Sequence, residues 1–223
     1  MTAELAHAGW PDLVGTERVL VIPVGATEQH GPHLPLGTDT ELAVAVAREA
    51  AAHDDRLIVA PPVAYGSSGE HAGFAGTLSI GEPATELLLV ELCRSATATF
   101  RRVVLVCTHG GNAAAVNRAV TTLRAEGRDV STFAPEWGGD AHAGRTETSL
   151  MLAIAPERVR EDRAAAGNTR PLRELIGSLR ADGVREVSRN GVLGDPAGAA
   201  ADEGRTLLVD AAEAVLAALR EPE

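Results

Sequence analysis

Four short apolar runs between residues 18 and 135 set the terms for any fold of this chain: RVLVIPVG (18–25), LIVAPPV (57–63), RRVVLVC (101–107) and DVSTFAP (129–135). Each is rich in β-branched residues, too short for a core helix and closed by glycine, proline or a polar turn, which is the pattern of a strand buried on both faces. Between them lie helical segments, ELAVAVAREAAAH (41–53), ATELLLVELCRSATATF (84–100) and AAAVNRAVTTLRAEG (113–127), the last ended by Gly127 at a typical C-terminal position. Strands that alternate with helices predict a parallel, doubly wound α/β sheet with helices on both faces. In such a sheet binding sites collect at the carboxyl ends of the strands. TETSLMLAIAP (146–156) reads as another helix with Thr146 as its cap, and the segment from Val187 to Leu219 as a loop and a final helix. Residues 157–189, mostly arginine, alanine and glutamate in helical pattern, read as solvated helix and loop.

With 223 residues, 45% of them hydrophobic, no internal repeat and no linker, the expectation is one domain over residues 1–223. No apolar run is long enough to span a bilayer. The opening MTAELAHAGWPDL has no basic stretch ahead of an apolar one, so neither a secretory signal nor a transit peptide is read, and the cytoplasm is the expected location. A net charge of -11 and 3% aromatic residues argue against nucleic-acid and anionic-membrane partners, which need clustered cations or stacking platforms. A small molecule or a peptide is the expected partner. Cys93 and Cys107 form no CxxC pair and fall in a helical and a strand pattern, so buried, reduced thiols are expected.

The chemistry-bearing residues gather just after the strands. In TEQHGPHLPLGTDT (27–40), Glu28 and His30 alternate along an extended segment and point the same way, while the prolines and glycines turn the chain so that Asp39 returns to them. Two carboxylates and an imidazole suit Zn²⁺, Mn²⁺ or Fe²⁺, although spacing alone leaves a polar turn with surface histidines equally open. THGGN (108–112) puts His109 past the third strand at the same sheet edge, with Asn112 as a residue to orient it by a hydrogen bond. DAHAGRTETS (140–149) adds His142 and, in the first turn of a helix, Glu147. His33 reads as a residue that folds the loop against a carbonyl. Glu70 and His71 lie in a glycine-rich loop, AYGSSGEHAGFAGTLSIGEP (64–83), that reads as a lid or substrate contact, and Trp137 as a pocket wall. Gly191 to Pro196 shape either a subunit contact or a substrate channel.

The combination of E-x-H-G-x-H-L-P-x-x-T-D at Glu28 to Asp39, H-G-G-N at His109 to Asn112 and H-A-G-x-x-E-T-S at His142 to Ser149 resembles the creatininase (creatinine amidohydrolase) family, from about Val19 to Ala155. The resemblance implies a three-layer α/β/α sandwich with a mostly parallel central sheet, a homo-oligomer that is commonly a hexameric ring, and two divalent metal ions per subunit acting on C–N bonds. Carried over residue by residue, Glu28 and His109 hold one metal, His30 the other, and Asp39 bridges both. Where creatininase has an acid two positions after the strand-end histidine, this chain has Gly111, so Glu147 is expected to supply the second metal's carboxylate, and creatinine is disfavoured as substrate. His142 matches a family histidine placed to move a proton, implying a general acid/base that protonates the leaving nitrogen; a hydrogen-bond partner of Glu147 is its other reading. Two further segments, AYGSSGEHAGFAGTLSIG and NGVLGDP, resemble family members that act on a modified ribosomal precursor peptide. They imply a peptidase that cuts an amide near the carboxyl end and releases a unit derived from a terminal Val-Tyr, in the biosynthesis of a redox cofactor. A hydrolase of cyclic amides or formamides and a non-catalytic metal-binding scaffold remain open alternatives.

Overall fold

In the computed structural model, which describes residues 3–220, the four apolar runs are strands of one sheet. They are β1 (Val19–Val24), β2 (Leu57–Val59), β3 (Arg102–Cys107) and β4 (Asp129–Phe133), all parallel in the order β2-β1-β3-β4. Val19 is level with Leu57 and Arg102, and Arg102 with Asp129, so the strands start on a common line. β1 and β3 occupy the centre, and every residue after the first in each is buried. β2 is shorter than its apolar run because Pro61 and Pro62 cannot donate to a ladder; past Val59 only a bridge from Val24 to Val63 continues the pairing. Pro23 is tolerated in a central strand because β2 has already ended beside it.

Side chains alternate across the sheet and divide the core in two. On one face Leu20, Ile22, Val24, Val103 and Leu105 meet α2 (Glu82–Ala96) and α3 (Ala113–Ala125) through Leu89, Cys93, Val116 and Leu123. On the other, Val21, Val59, Val104 and Val106 meet α1 (Thr38–His53) and, near the chain's end, a helix over Ala201–Arg220 through Val46, Ala50, Ala212 and Val215. The result is a three-layer α/β/α sandwich. Beyond β4, α4 (Arg145–Ile154) packs on that last helix, and the approach is close: a Cβ at Gly204 would lie 1.9 Å from the Ser149 carbonyl oxygen.

Between these two come α5 (Leu172–Asp182) and α6 (Val184–Val187), so the Ala201–Arg220 helix is α7. The segment read as solvated has a small core of its own, Leu175, Val184 and Leu193 packed with Phe74. Two boundaries differ from the sequence reading. α1 begins at Thr38, which puts Asp39 in a helical first turn instead of a loop. α4 begins after Gly144, whose carbonyl accepts the Thr148 N–H at 3.1 Å; Thr146 is inside the first turn and its hydroxyl turns away to the Gly138 carbonyl. Cys93 and Cys107 are buried and unpaired, and among the described residues no helix is long and apolar enough to cross a membrane.

Candidate metal centre

Four elements deliver polar side chains to the carboxyl edge of the sheet. The loop after β1 carries Glu28 and His30, the turn after β3 carries His109, α1 opens with Asp39, and α4 opens with Glu147 behind His142. Glu28, His30, Asp39, His109 and His142 are all buried, an arrangement that costs several kcal/mol per charge unless each is compensated. Their donor atoms form three close groups: Glu28, Asp39 and His109; His30, Asp39 and Glu147; and Glu28, His30 and His142. Asp39 is common to the first two. Its Oδ1 lies 3.3 Å from His30 Nε2 and its Oδ2 3.4 Å from His109 Nδ1, while Glu147 Oε2 is 4.0 Å from His30 Nε2.

The histidines are oriented alike. His30 Nδ1 donates to the Glu28 carbonyl at 3.1 Å, His109 Nε2 to the Ser67 carbonyl at 2.8 Å and His142 Nε2 to the Gln29 carbonyl at 2.8 Å. A carbonyl oxygen only accepts, so in each neutral ring the proton sits on that nitrogen and the other nitrogen turns its lone pair toward a carboxylate. Meanwhile Glu28 Oε1, Glu28 Oε2 and Asp39 Oδ2 are buried and accept no aligned hydrogen bond. At Asp39 the lone pairs of His30 Nε2 and His109 Nδ1 face carboxylate oxygens in a dry site, and Glu28 Oε2 meets His109 Nε2 at 3.1 Å without alignment. Such a cluster calls for a cation, and an imidazole anchored by its far N–H to a carbonyl is the usual metal-ligand geometry. The donor set fits a divalent metal of the Zn²⁺, Fe²⁺ or Mn²⁺ type.

Without a metal, protons must serve instead. Burial, reinforced by Asp39, pushes Glu28 up to about 8, and burial raises Glu147 as well. For His30 burial opposes the charge, but Asp39, joined by Glu147 and Glu28, outweighs it and lifts the ring to about 10. Burial likewise disfavours ionised Asp39, but His30 and His109 hold it below its ordinary value. His71, driven down to about 3 by burial and then by His109 and His30, stays neutral, as does His142, held well below its usual value by burial, His30 and His71.

Several residues take positions that the sequence did not specify. His142 does not touch Glu147 by hydrogen bond: Glu147 Oε2 accepts the N–H of Ala143 at 2.6 Å. Ala143 has φ 52, a left-handed conformation that costs a non-glycine residue about 1–2 kcal/mol, and this bond helps to hold it there. Asn112 does not orient the His109 ring directly; its Oδ1 accepts from Ser67 N at 2.8 Å and its amide donates to Gly25 O at 2.9 Å, so it fixes the Ser67 carbonyl on which His109 leans. His33 is buried but outside the donor groups, and its Nε2 meets the Thr148 hydroxyl at 2.9 Å instead of a carbonyl. His71 is buried within the polar cluster, its Nε2 3.1 Å from Glu28 Oε1, while Glu70 beside it stays a third exposed.

Gln29 is the residue the sequence reading missed. Its amide nitrogen lies 2.8 Å from His71 Nδ1 and donates to Gly191 O at 3.1 Å, and its own carbonyl holds His142. The only signal was its place between Glu28 and His30. Gly191, at φ 81, makes room for it: a Cβ there would lie 1.8 Å from Gln29 Oε1. The loop from Gly191 to Pro196 thus cradles Gln29, and it also pairs with the His142 segment, Leu193 N donating to His142 O at 2.9 Å.

Two cavities meet at the cluster. One, of about 230 Å³, is lined by Asp39, His109, His142, Glu147 and Trp137. The other is a groove of about 890 Å³ that runs from Glu28, His109 and His142 along the loop of Glu70 and His71 to Leu172, Ile176 and Leu179 of α5. Trp137 both walls the smaller cavity and packs against the core.

Known proteins are similar to this chain in sequence or in fold. A mycofactocin precursor peptide peptidase of Mycobacterium ulcerans (strain Agy99) is 52% identical over 216 residues, covering 93% of this chain and 86% of that protein. A protein of the same name from Mycolicibacterium smegmatis (strain ATCC 700084 / mc(2)155) is 49% identical over 221 residues, 92% of this chain and 89% of that one. A solved structure described as "Creatininase Mn" superposes with a TM-score of 0.82 over 99% of this chain and 98% of its own, at 24% identity, a likeness of fold. The family model "Creatininase: Creatinine amidohydrolase" matches residues 6–219, and the chain belongs to the creatininase family.

Proposed function

We propose that this chain, acting as one domain over residues 1–223, is a metal-dependent peptidase that hydrolyses an amide bond near the carboxyl end of the modified mycofactocin precursor peptide. The cut releases the unit derived from its terminal Val-Tyr. The observation that carries the reading is the sharing of buried Asp39 between two donor groups, with both Glu28 oxygens and Asp39 Oδ2 buried without an aligned donor. The name of the half-identical relatives supplies the substrate, and the long groove supports it, since a peptide needs such a channel and a small cyclic amide does not.

In this reading Glu28, Asp39 and His109 hold one divalent ion and His30, Asp39 and Glu147 the other. When bound, such ions bring water toward ionisation near neutral pH and polarise an amide carbonyl. Zinc and manganese are each compatible, and solved creatininases include a Zn-Zn and a Mn form. His142 is the general acid/base: its Nε2–H is fixed on Gln29, and its free Nδ1, 3.9 Å from Glu28 Oε1, accepts a proton and passes it to the leaving nitrogen. The carbonyls of Gln29 and of Ser67, the latter residue fixed by Asn112, hold His142 and His109 from behind. Glu70, His71 and Trp137 contact the substrate side. A cytoplasmic homo-oligomer, a hexamer by family resemblance, completes the proposal; exposed Leu87, Leu88 and Leu92 on α2 support a subunit contact.

The test is mass spectrometry of the purified protein incubated with divalent metal and the precursor peptide already modified at its terminal Val-Tyr, beside a Glu28→Ala control. A shortened peptide and a small released amine, absent from the control, are expected. Intact peptide in the presence of demonstrably bound metal would overturn the peptidase reading in favour of a cyclic-amide hydrolase.

A further inference from the structure

The glycine at position 111 and the carboxylate of Glu70 occupy one place. A Cβ on Gly111 would lie 2.3 Å from Glu70 Oε1, 2.4 Å from His109 Nε2 and 2.3 Å from the Ser67 carbonyl oxygen, so the turn after β3 has no room for a side chain there. The space is filled from outside by Glu70, carried on the short 3-10 turn Gly69–His71. Its Oε1 is 3.6 Å from His109 Nε2, and no arginine or lysine is paired with it among the described residues. The turn is anchored on both sides: His71 is buried against Glu28, and Gly183 packs beneath, a Cβ there reaching within 2.9 Å of Glu70 O. The carboxylate is therefore docked against the metal-binding imidazole, at the point where the groove enters the cluster.

Resting on the metal-centre reading above, we infer that Glu70 is a positioning residue for the Glu28, Asp39 and His109 site: a carboxylate delivered by the glycine-rich loop into the niche that Gly111 leaves open. There, 3.6 Å from His109 Nε2, it acts by charge on the N–H that the Ser67 carbonyl accepts, favours the ring orientation that keeps Nδ1 directed at Asp39, and would add negative charge to a bound cation's surroundings. The loop then belongs to the metal centre as much as to the substrate channel. The second group shares Asp39 with the first, but neither His30 nor Glu147 forms an ion pair or hydrogen bond with Glu70 among the described residues.

Titration calorimetry with Zn²⁺ alone, with metal content read by mass spectrometry, tests this on the full-length wild type, Glu70→Gln and Glu70→Ala. Losing the partner of a ligating histidine typically weakens metal binding about 10–100-fold. That loss is expected in one of two binding steps for both variants, smaller for Glu70→Gln because the amide keeps an acceptor, with the other step and the melting temperature of the metal-free protein unchanged. Wild-type affinity in both steps for both variants would overturn the inference and leave the metal centre standing. A wild type that binds no Zn²⁺ would instead remove the reading on which the inference rests.

Discussion

Glu28 and His109 reach Asp39 from the connections that follow β1 and β3, two strands paired over six residues in the middle of the sheet, and His30 comes from the same connection as Glu28, whereas Glu147 comes from the first turn of α4, beyond the sheet. The first group is wholly buried. In the second, Glu147 is 14% exposed and stands 4.0 Å from its nearest imidazole nitrogen. Donors just past adjacent central strands are held close to the ladder, while a group that includes Glu147 depends on how α4 packs against α7. The first site should therefore bind tightly and the second more loosely, with Asp39 as their only common ligand.

The largest effect should come from removing that common ligand. Asp39→Ala is expected to lose both metals and, with them, several kcal/mol of transition-state stabilisation, a fall in kcat/KM of at least about a thousandfold. Metal retained at one full site would break the sharing. His142→Ala separates metal from proton: it should keep both ions and lower kcat by about 10²–10⁴-fold, the usual value of a general acid/base. Lost metal with surviving turnover would make His142 a ligand, as its grouping with Glu28 and His30 would allow.

Glu147→Gln sharpens the contrast between the two groups. The weaker binding step should fall by about tenfold or more and the stronger one stay as it was; equal losses in both would show that the groups are one. The smallest effect is on pH. Because metal-free Glu28 sits near 8 and His30 near 10, a metal must displace protons that both raised groups retain below those values. Affinity should rise with pH, more steeply below about pH 8, where both groups give up protons, than between 8 and 10, where His30 alone of this pair does. Calorimetry in buffers of different ionisation enthalpy counts the protons released, and none released at pH 7 would contradict these shifts.

The contrast also bears on what could be read from the sequence. Strands and their parallel order followed from β-branched apolar runs, and the edge at which the site lies followed from the parallel order, because those signals are local and repeated. β2 is short because Pro61 and Pro62 end the ladder, as the Pro-Pro pair in the sequence signals. The carboxylates and imidazoles of the two groups were legible as motif residues. What supports them was not. Gln29, the Ser67 carbonyl and the Gly191 cradle act through backbone atoms and through contacts as distant as 162 positions along the chain, where side-chain type carries no message. The same holds for Asn112, expected to bond His109 itself but bonded to Ser67, and for Glu70, whose place against His109 depends on a glycine on another turn. α5 was opaque because its apolar residues are few and divided, Leu175 in a small core with Val184 and Leu193, Leu172 and Ile176 on the groove.

The central claim is that one carboxylate serves two metal sites of unequal strength. Anomalous diffraction at the zinc absorption edge, from crystals equilibrated at rising Zn²⁺ concentration, tests it most directly. The account predicts two peaks flanking Asp39, the one beside Glu28 and His109 filling first and the one beside His30 and Glu147 second. A single peak at saturation, or peaks out of reach of Asp39, would contradict it.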